Sequence, residues 1–222
     1  ASDYSQEPYW NGGRINMGAY GGTDTASKSA IPRPDLTITN FGPSQYVIGV
    51  NMAMKFGVTV VNQGTGIAGS TTLGLYDVTS DPQELGVQTV GVLGPGESAT
   101  VVFTDISFPS VGTVNLMATA DSGAALVESN EDNNTANLTI TVEHVDLVLS
   151  SFSPSQYTIN TNTNLTTACT VTNNSNVDLE DFLVGIYNMS AGAQLLALQQ
   201  VTNLGAGMSQ DLTFTGLRFS TA

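Results

Sequence analysis

From Asp35 onward, apolar and polar positions alternate with a period of two in short runs, and no stretch of useful length carries a helical period. Leu36 and Ile38 alternate with threonines. Met52, Met54, Phe56, Val58 and Val60 make one face of a long second strand that ends at Asn62-Gln63-Gly64. Residues 73–78 are apolar on both faces, as a central strand would be. Residues 84–92, 99–108 and 112–121 predict three more strands. Residues 136–142 predict a seventh, with Leu138, Ile140 and Val142 set against Thr139 and Thr141. Gly42-Pro43-Ser44, Asp81-Pro82 and Gly94-Pro95-Gly96 are turn signals between the runs. Seven short strands in about 110 residues predict an all-β chain folded as a two-sheet Greek-key sandwich of immunoglobulin type.

The pattern then repeats. DLTITNFGPSQYVI from Asp35 returns as DLVLSSFSPSQYTI from Asp146, VVNQG at Val60 as VTNNS at Val171, and LGLYDV at Leu73 as VGIYNM at Val184. LGPGESATVVFTDISF at Leu93 returns as LGAGMSQDLTFTGLRF at Leu204, and every matched pair is 111 positions apart. One fold is written twice. The expected organisation is an N-terminal arm and linker over residues 1–33, a first sandwich over 34–143 and a second over 144–222. The second copy reaches Ala222, the partner of Val111, so equivalents of residues 112–142, its last two strands, do not appear in it.

That shortfall has an energetic consequence. Counterparts of Val114, Leu116, Leu138, Ile140 and Val142 would fill part of the second core, and burying five such side chains contributes roughly 8 to 15 kcal/mol. A whole domain is stable by only about 5 to 15 kcal/mol. The second sandwich is therefore expected to need strands from elsewhere: either the sequence is a piece of a longer chain, or another molecule lays a strand along the open edge. The spare strand is the alternating run Arg14, Ile15, Asn16, Met17, Gly18, Ala19 and Tyr20, and a head-to-tail contact of that kind would generate a filament.

Composition narrows the partners. Nineteen acids against five bases give a formal charge of -14, and only Lys55 and Arg218 lie beyond residue 34, so a nucleic acid backbone would find almost nothing to neutralise it. No apolar run approaches the roughly 20 residues of a membrane span. Cys169 is the single cysteine, which excludes an internal disulfide, and its counterpart Val58 places it on a core face as an inert thiol. An acidic, hydroxyl-rich, nearly cysteine-free β chain fits an extracellular or cell-surface location. The expected partners are proteins, either further copies of the same chain or adjoining domains, with carbohydrate as a second option.

Residues 1–33 stand apart: they are rich in Gly and Ser, and hold Trp10 and three of the five bases. Within them GGRINMGAYGGT, residues 12–23, resembles the closing segment of right-handed parallel β-helix proteins, which implies a β-helix upstream. The competing reading is a tail with one strand's worth of apolar positions. The repeat itself resembles the CARDB family, the cell-adhesion-related domain of bacterial and archaeal surface proteins. The residues that carry the likeness are Pro34-Asp35-Leu36, the strand end Val60-Val61-Asn62-Gln63-Gly64, the turn Leu93-Gly94-Pro95-Gly96 and the closing string VESNEDNN from Val127 to Asn134. It covers residues 34–143 in full and 145–222 in part. The resemblance implies a non-catalytic extracellular module used in tandem as a spacer or adhesive element. The alternative is an accessory, spacer or carbohydrate-binding region of a larger secreted polysaccharide-active β-helix enzyme.

Candidate chemistry is sparse. Asp121, Glu128, Asn130 and Asp132, with Glu131 and Asn133, could gather oxygen ligands for Ca²⁺, which takes six to eight. No EF-hand spacing accompanies them, and Asp and Asn are ordinary turn residues, so a plain turn with no cofactor is the competing reading. His144, the one histidine, sits in the expected hinge; no GxSxG elbow is present, and GTGIAGS at Gly64 lacks the lysine of a phosphate-binding loop. No enzyme is expected. Tyr46 and Tyr157 recur at one equivalent position and Tyr76 and Tyr187 at another, which is shared architecture and not a sugar-stacking row.

Overall fold

A computed structural model describes residues 31–160 and 163–219. Residues 1–30, with the expected strand donor 14–20 and the β-helix-like residues 12–23, lie outside the described residues. Apart from one 3-10 turn at Met189–Ala191, every regular element described is a strand: β1 (Leu36–Pro43), β2 (Val47–Gly49), β3 (Met54–Asn62), β4 (Thr71–Asp77), β5 (Gln83–Val90), β6 (Ser98–Ile106), β7 (Gly112–Ala120), β8 (Thr135–Glu143), β9 (Leu147–Pro154), β10 (Leu165–Asn173), β11 (Phe182–Asn188), β12 (Gln194–Val201) and β13 (Ser209–Leu217). The chain divides into two compact units. The described residues of the first are 31–44, 55–106 and 115–139, and those of the second are 45–54, 107–114 and 140 onward.

Two sheets are built from β1–β8, one in the order β1-β3-β6 and the other β2-β8-β7-β4-β5. The alternation anticipated from sequence is realised most clearly in β3, where Met54, Phe56, Val58, Val60 and Asn62 are buried and the residues between them are not. Leu36, Phe103, Leu73, Leu75, Leu116 and Ala118 join Phe56, Val58 and Val60 in the core of the first unit, drawn from both sheets. This is the two-layer, immunoglobulin-like sandwich that the period-two pattern requires. β4 is an interior strand, paired to β5 on one side and β7 on the other, which explains why both its faces are apolar. The seven expected strands are joined by β2, three residues that run parallel to β8 with Val47 opposite Thr141.

In the second unit the counterparts fall 111 residues on: β9 for β1, β10 for β3, β11 for β4, β12 for β5 and β13 for β6. They form a sheet of order β13-β10-β9 and a two-stranded pair β11-β12. Cys169, Val171, Val184, Val201, Leu204, Leu212, Phe214 and Leu217 make a common core, with Cys169 buried on the strand face where Val58 lies in the first copy. Even irregularities recur. The register shift between Leu75 and Tyr76 reappears between Ile186 and Tyr187. The left-handed backbone of Gly96 (φ 79°) reappears at Gly207 (φ 70°), where a glycine avoids the Cβ strain of that conformation. Residues 158–160, the counterpart of β2, form no strand. β2 exists through its pairing with β8, and no equivalent of β8 stands among the described residues.

One buried amide organises each copy. The Asn62 side chain is fully buried at the end of β3; its Nδ2 donates to the carbonyls of Gly66 (2.8 Å) and Leu93 (2.9 Å). Its Oδ1 accepts from the Asp35 amide (3.1 Å) and the Gly64 amide (3.0 Å). Its main chain meets the same turn, accepting from Gly96 N (2.7 Å) and donating to Glu97 O (2.9 Å). Asn173 repeats this, with Nδ2 donating to Val177 O (2.7 Å) and Leu204 O (3.0 Å), and its main chain accepting from Gly207 N (2.9 Å) and donating to Met208 O (2.9 Å). The start of β1, the loop into β4 and the turn before β6 are thus tied to a single residue at the end of β3. Asn62→Ala strands buried carbonyls without a donor and is expected to cost about 3 kcal/mol. Urea unfolding against the exposed-site control Asn40→Ala, expected within about 0.5 kcal/mol of the parent, checks this.

Candidate functional site: a closing turn and an open strand edge

The residues after β7 fasten the first copy shut. Asp121 is buried and accepts from the Thr71 hydroxyl, from Ala125 N (3.1 Å) and from Leu126 N (2.9 Å). Glu128, only 3% exposed, accepts from Leu36 N with one oxygen and from Asn134 Nδ2 (2.8 Å) with the other. Ser129 N donates to Pro34 O (2.8 Å) and Asn133 Nδ2 to Asp35 Oδ1 (2.8 Å), so the closing string is clamped to the start of β1 over three consecutive residues. Burial pushes the Glu128 carboxyl above the ordinary carboxylate value; Leu36 N and Asn134 pull it down, and Glu131 and Asp121 add to the rise.

Of the four expected calcium ligands, Asp121 and Glu128 turn inward onto protein donors. Asn130 and Asp132 are exposed, with Asn130 Oδ1 accepting from Asp132 N (3.1 Å) in a local turn. Among the described residues no group of three or more His, Cys, Asp or Glu side chains is placed to hold a metal ion. The role of Glu128 as a buried latch was not readable from its neighbours, since an acid in an Asn-rich turn looks the same whether it faces water or Leu36.

The second copy has no such latch among the described residues. Leu36 is 0% exposed under the closing string, whereas its counterpart Leu147 is 39% exposed, and Leu149 and Phe152 on the same strand are more open still. The larger difference lies at β11. Its counterpart β4 pairs with β7 over five residues, from Leu73 opposite Ala120 to Asp77 opposite Leu116. β11 pairs only with β12 among the described residues, so the edge from Val184 to Asn188 offers backbone donors and acceptors with no strand beside it. Around it Leu183, Tyr187, Leu195 and Leu198 are exposed.

Comparison with known proteins decides the family. The family model described as CARDB matches residues 33–138. The CARDB domain of a Pyrococcus furiosus protein, solved in complex with di-metal ions, is 30% identical to this chain over 51% of this chain and 97% of that one, with a TM-score of 0.44. Residues 33–138 belong to the CARDB family. A domain of a Methanosarcina acetivorans protein assigned to the cell surface is 24% identical, covering 50% of this chain and 96% of that one at a TM-score of 0.43. No curated protein matches the chain. The CARDB match spans both halves of the clamp, from the start of β1 through the closing string into β8.

Two outcomes follow from the latch. Because the raised value means that folded Glu128 holds its proton more tightly than the unfolded chain does, this group adds stability as pH falls through the interval between the raised and ordinary values, and the gain is lost as pH rises. The melting temperature of the parent relative to Glu128→Gln should therefore move in the parent's favour between pH 7 and 4, and the reverse trend would show that the carboxylate is the stabilised form. Since the oxygens of Asp121 and Glu128 already accept from protein donors, adding Ca²⁺ is expected to leave the melting temperature unchanged; a rise of several degrees would reveal a bound ion.

Proposed function

We propose that the protein is a non-catalytic extracellular adhesion or structural protein. In this reading residues 34–143 are one CARDB module and residues 144–222 belong to a second, CARDB-like one. Neighbouring molecules join by strand sharing into a filament or surface layer, with residues 14–20 as donor. The observation that carries it is the edge of β11, bare among the described residues where β4 is covered by β7. A bare, apolar-flanked edge is what a protein that adds a strand from another molecule presents. The surface assignment of the Methanosarcina acetivorans relative and the acidic, cysteine-poor composition support an extracellular location.

The test is assembly of the full chain. Light scattering and electron microscopy over a concentration series should show mass rising well beyond the 23.1 kDa of one chain, with fibres at the upper end. Removal of residues 1–30 should hold the protein at low mass. A single monomeric species at every concentration would overturn the reading.

A further inference from the structure

A counterpart of β7 does not stand beside β11 among the described residues, and a run elsewhere in the sequence resembles β7. Residues 112–120, the whole of β7, read GTVNLMATA; residues 13–21 read GRINMGAYG. With no gap, Gly13 matches Gly112, Asn16 matches Asn115 and Ala19 matches Ala118, while Ile15 and Met17 stand for Val114 and Leu116. The matched apolar positions are those β7 buries: Val114, Leu116, Ala118 and Ala120 are all in the core. The order matters as well as the period. β7 tapers from large to small along its inner face, and Ile15, Met17, Ala19 and Gly21 taper in the same direction.

We propose that residues 13–21 of one molecule act as a second β7 and pair antiparallel along β11 of the next, in the register that β7 keeps with β4. This rests on the strand-sharing reading above and names its acceptor, its direction and its register.

The receiving edge is consistent with that register. Carrying the β4–β7 pairs across places Ile186 opposite Ala19, as Leu75 is opposite Ala118, and Asn188 opposite Met17, as Asp77 is opposite Leu116. On the outer face Tyr187 falls opposite Gly18 and Gly185 opposite Tyr20; the Tyr187 ring lies over Gly185, as the Tyr76 ring lies over Gly74, so Tyr20 would pack against that ring across the pair. The end of the strand is prepared too. In the first copy the Asp77 carboxylate accepts from Thr79 N (2.9 Å), and the Thr79 hydroxyl accepts from Asn115 N (2.9 Å) on β7. In the second copy Asn188 Oδ1 accepts from Ser190 N (3.1 Å), which keeps a hydroxyl at the corresponding place. Asn16, the match of Asn115, is the residue that would donate to it.

Cysteine pairing reads the register directly. In a Cys169→Val background, full-length molecules carrying only Gly18→Cys are mixed with molecules carrying only Tyr187→Cys and oxidised; the expected product is a disulfide dimer containing one of each. Tyr20→Cys mixed with Tyr187→Cys, two residues out of register, should give at least tenfold less. Equal yields from both mixtures would overturn the register while leaving assembly intact. Filaments that form without either cross-link would overturn the acceptor. A cross-link within single molecules carrying both cysteines would overturn the exchange between copies, and a protein that never assembles would defeat the strand-sharing reading itself. As a measure free of substitutions in the chain, a synthetic peptide of residues 112–120 should compete for β11 and suppress assembly, and the same peptide with Leu116→Asp and Ala118→Asp should not; equal effects of the two would contradict the proposal.

Discussion

A fully buried asparagine side chain at the end of the second long strand is the constraint on which each copy depends. Burying a primary amide is costly unless its donors and acceptor are all used, and Asn62 uses them, two bonds out and two in. The partners it selects belong to the start of β1, the loop into β4 and the turn before β6. Fixing those three fixes which strands can be neighbours at that end of the sandwich. Asn173 imposes the same geometry on the second copy, and a left-handed glycine recurs in each turn. The duplicated bonds therefore describe one local design used twice, independently of how well each copy is closed.

Closure is where the copies differ. The first copy adds β7 and β8 to its second sheet and latches the closing string onto β1 through Glu128, Ser129 and Asn133. The second shows five strand counterparts among the described residues, an exposed Leu147 where the latch would lie and a central-type strand, β11, covered on one side. A strand with the sequence of a buried central strand and the environment of an edge strand is in conflict with itself, and pairing resolves that conflict. An edge that is a liability in a solitary domain is, under the strand-sharing proposal, the means of association.

Most of the architecture was legible because its signals are local. Alternation in β3 and β10, the both-faces-apolar run of β4 and the Gly-Pro turns are written within a few residues each. What was not legible depends on distant contacts. β2 is three residues long and is held by β8, some ninety residues away, so nothing within Val47–Gly49 announces it. Asn62 looks like a turn residue until the carbonyls it binds are known. Glu128 could have faced a cation or a backbone amide, and the latter follows from where Leu36 lies. The run at residues 14–20 stands out by its period, but its likeness to β7 gains meaning only once β11 is found paired on one side alone among the described residues.

The most direct measurement is amide hydrogen exchange along β11 at two concentrations. At dilution, the amides between Val184 and Asn188 that point away from β12 should exchange within seconds, while those bonded to β12 remain protected. In the assembled protein both sets should be protected alike. Equal protection of both sets in dilute monomer would contradict the account, because it would mean that β11 already has its second strand.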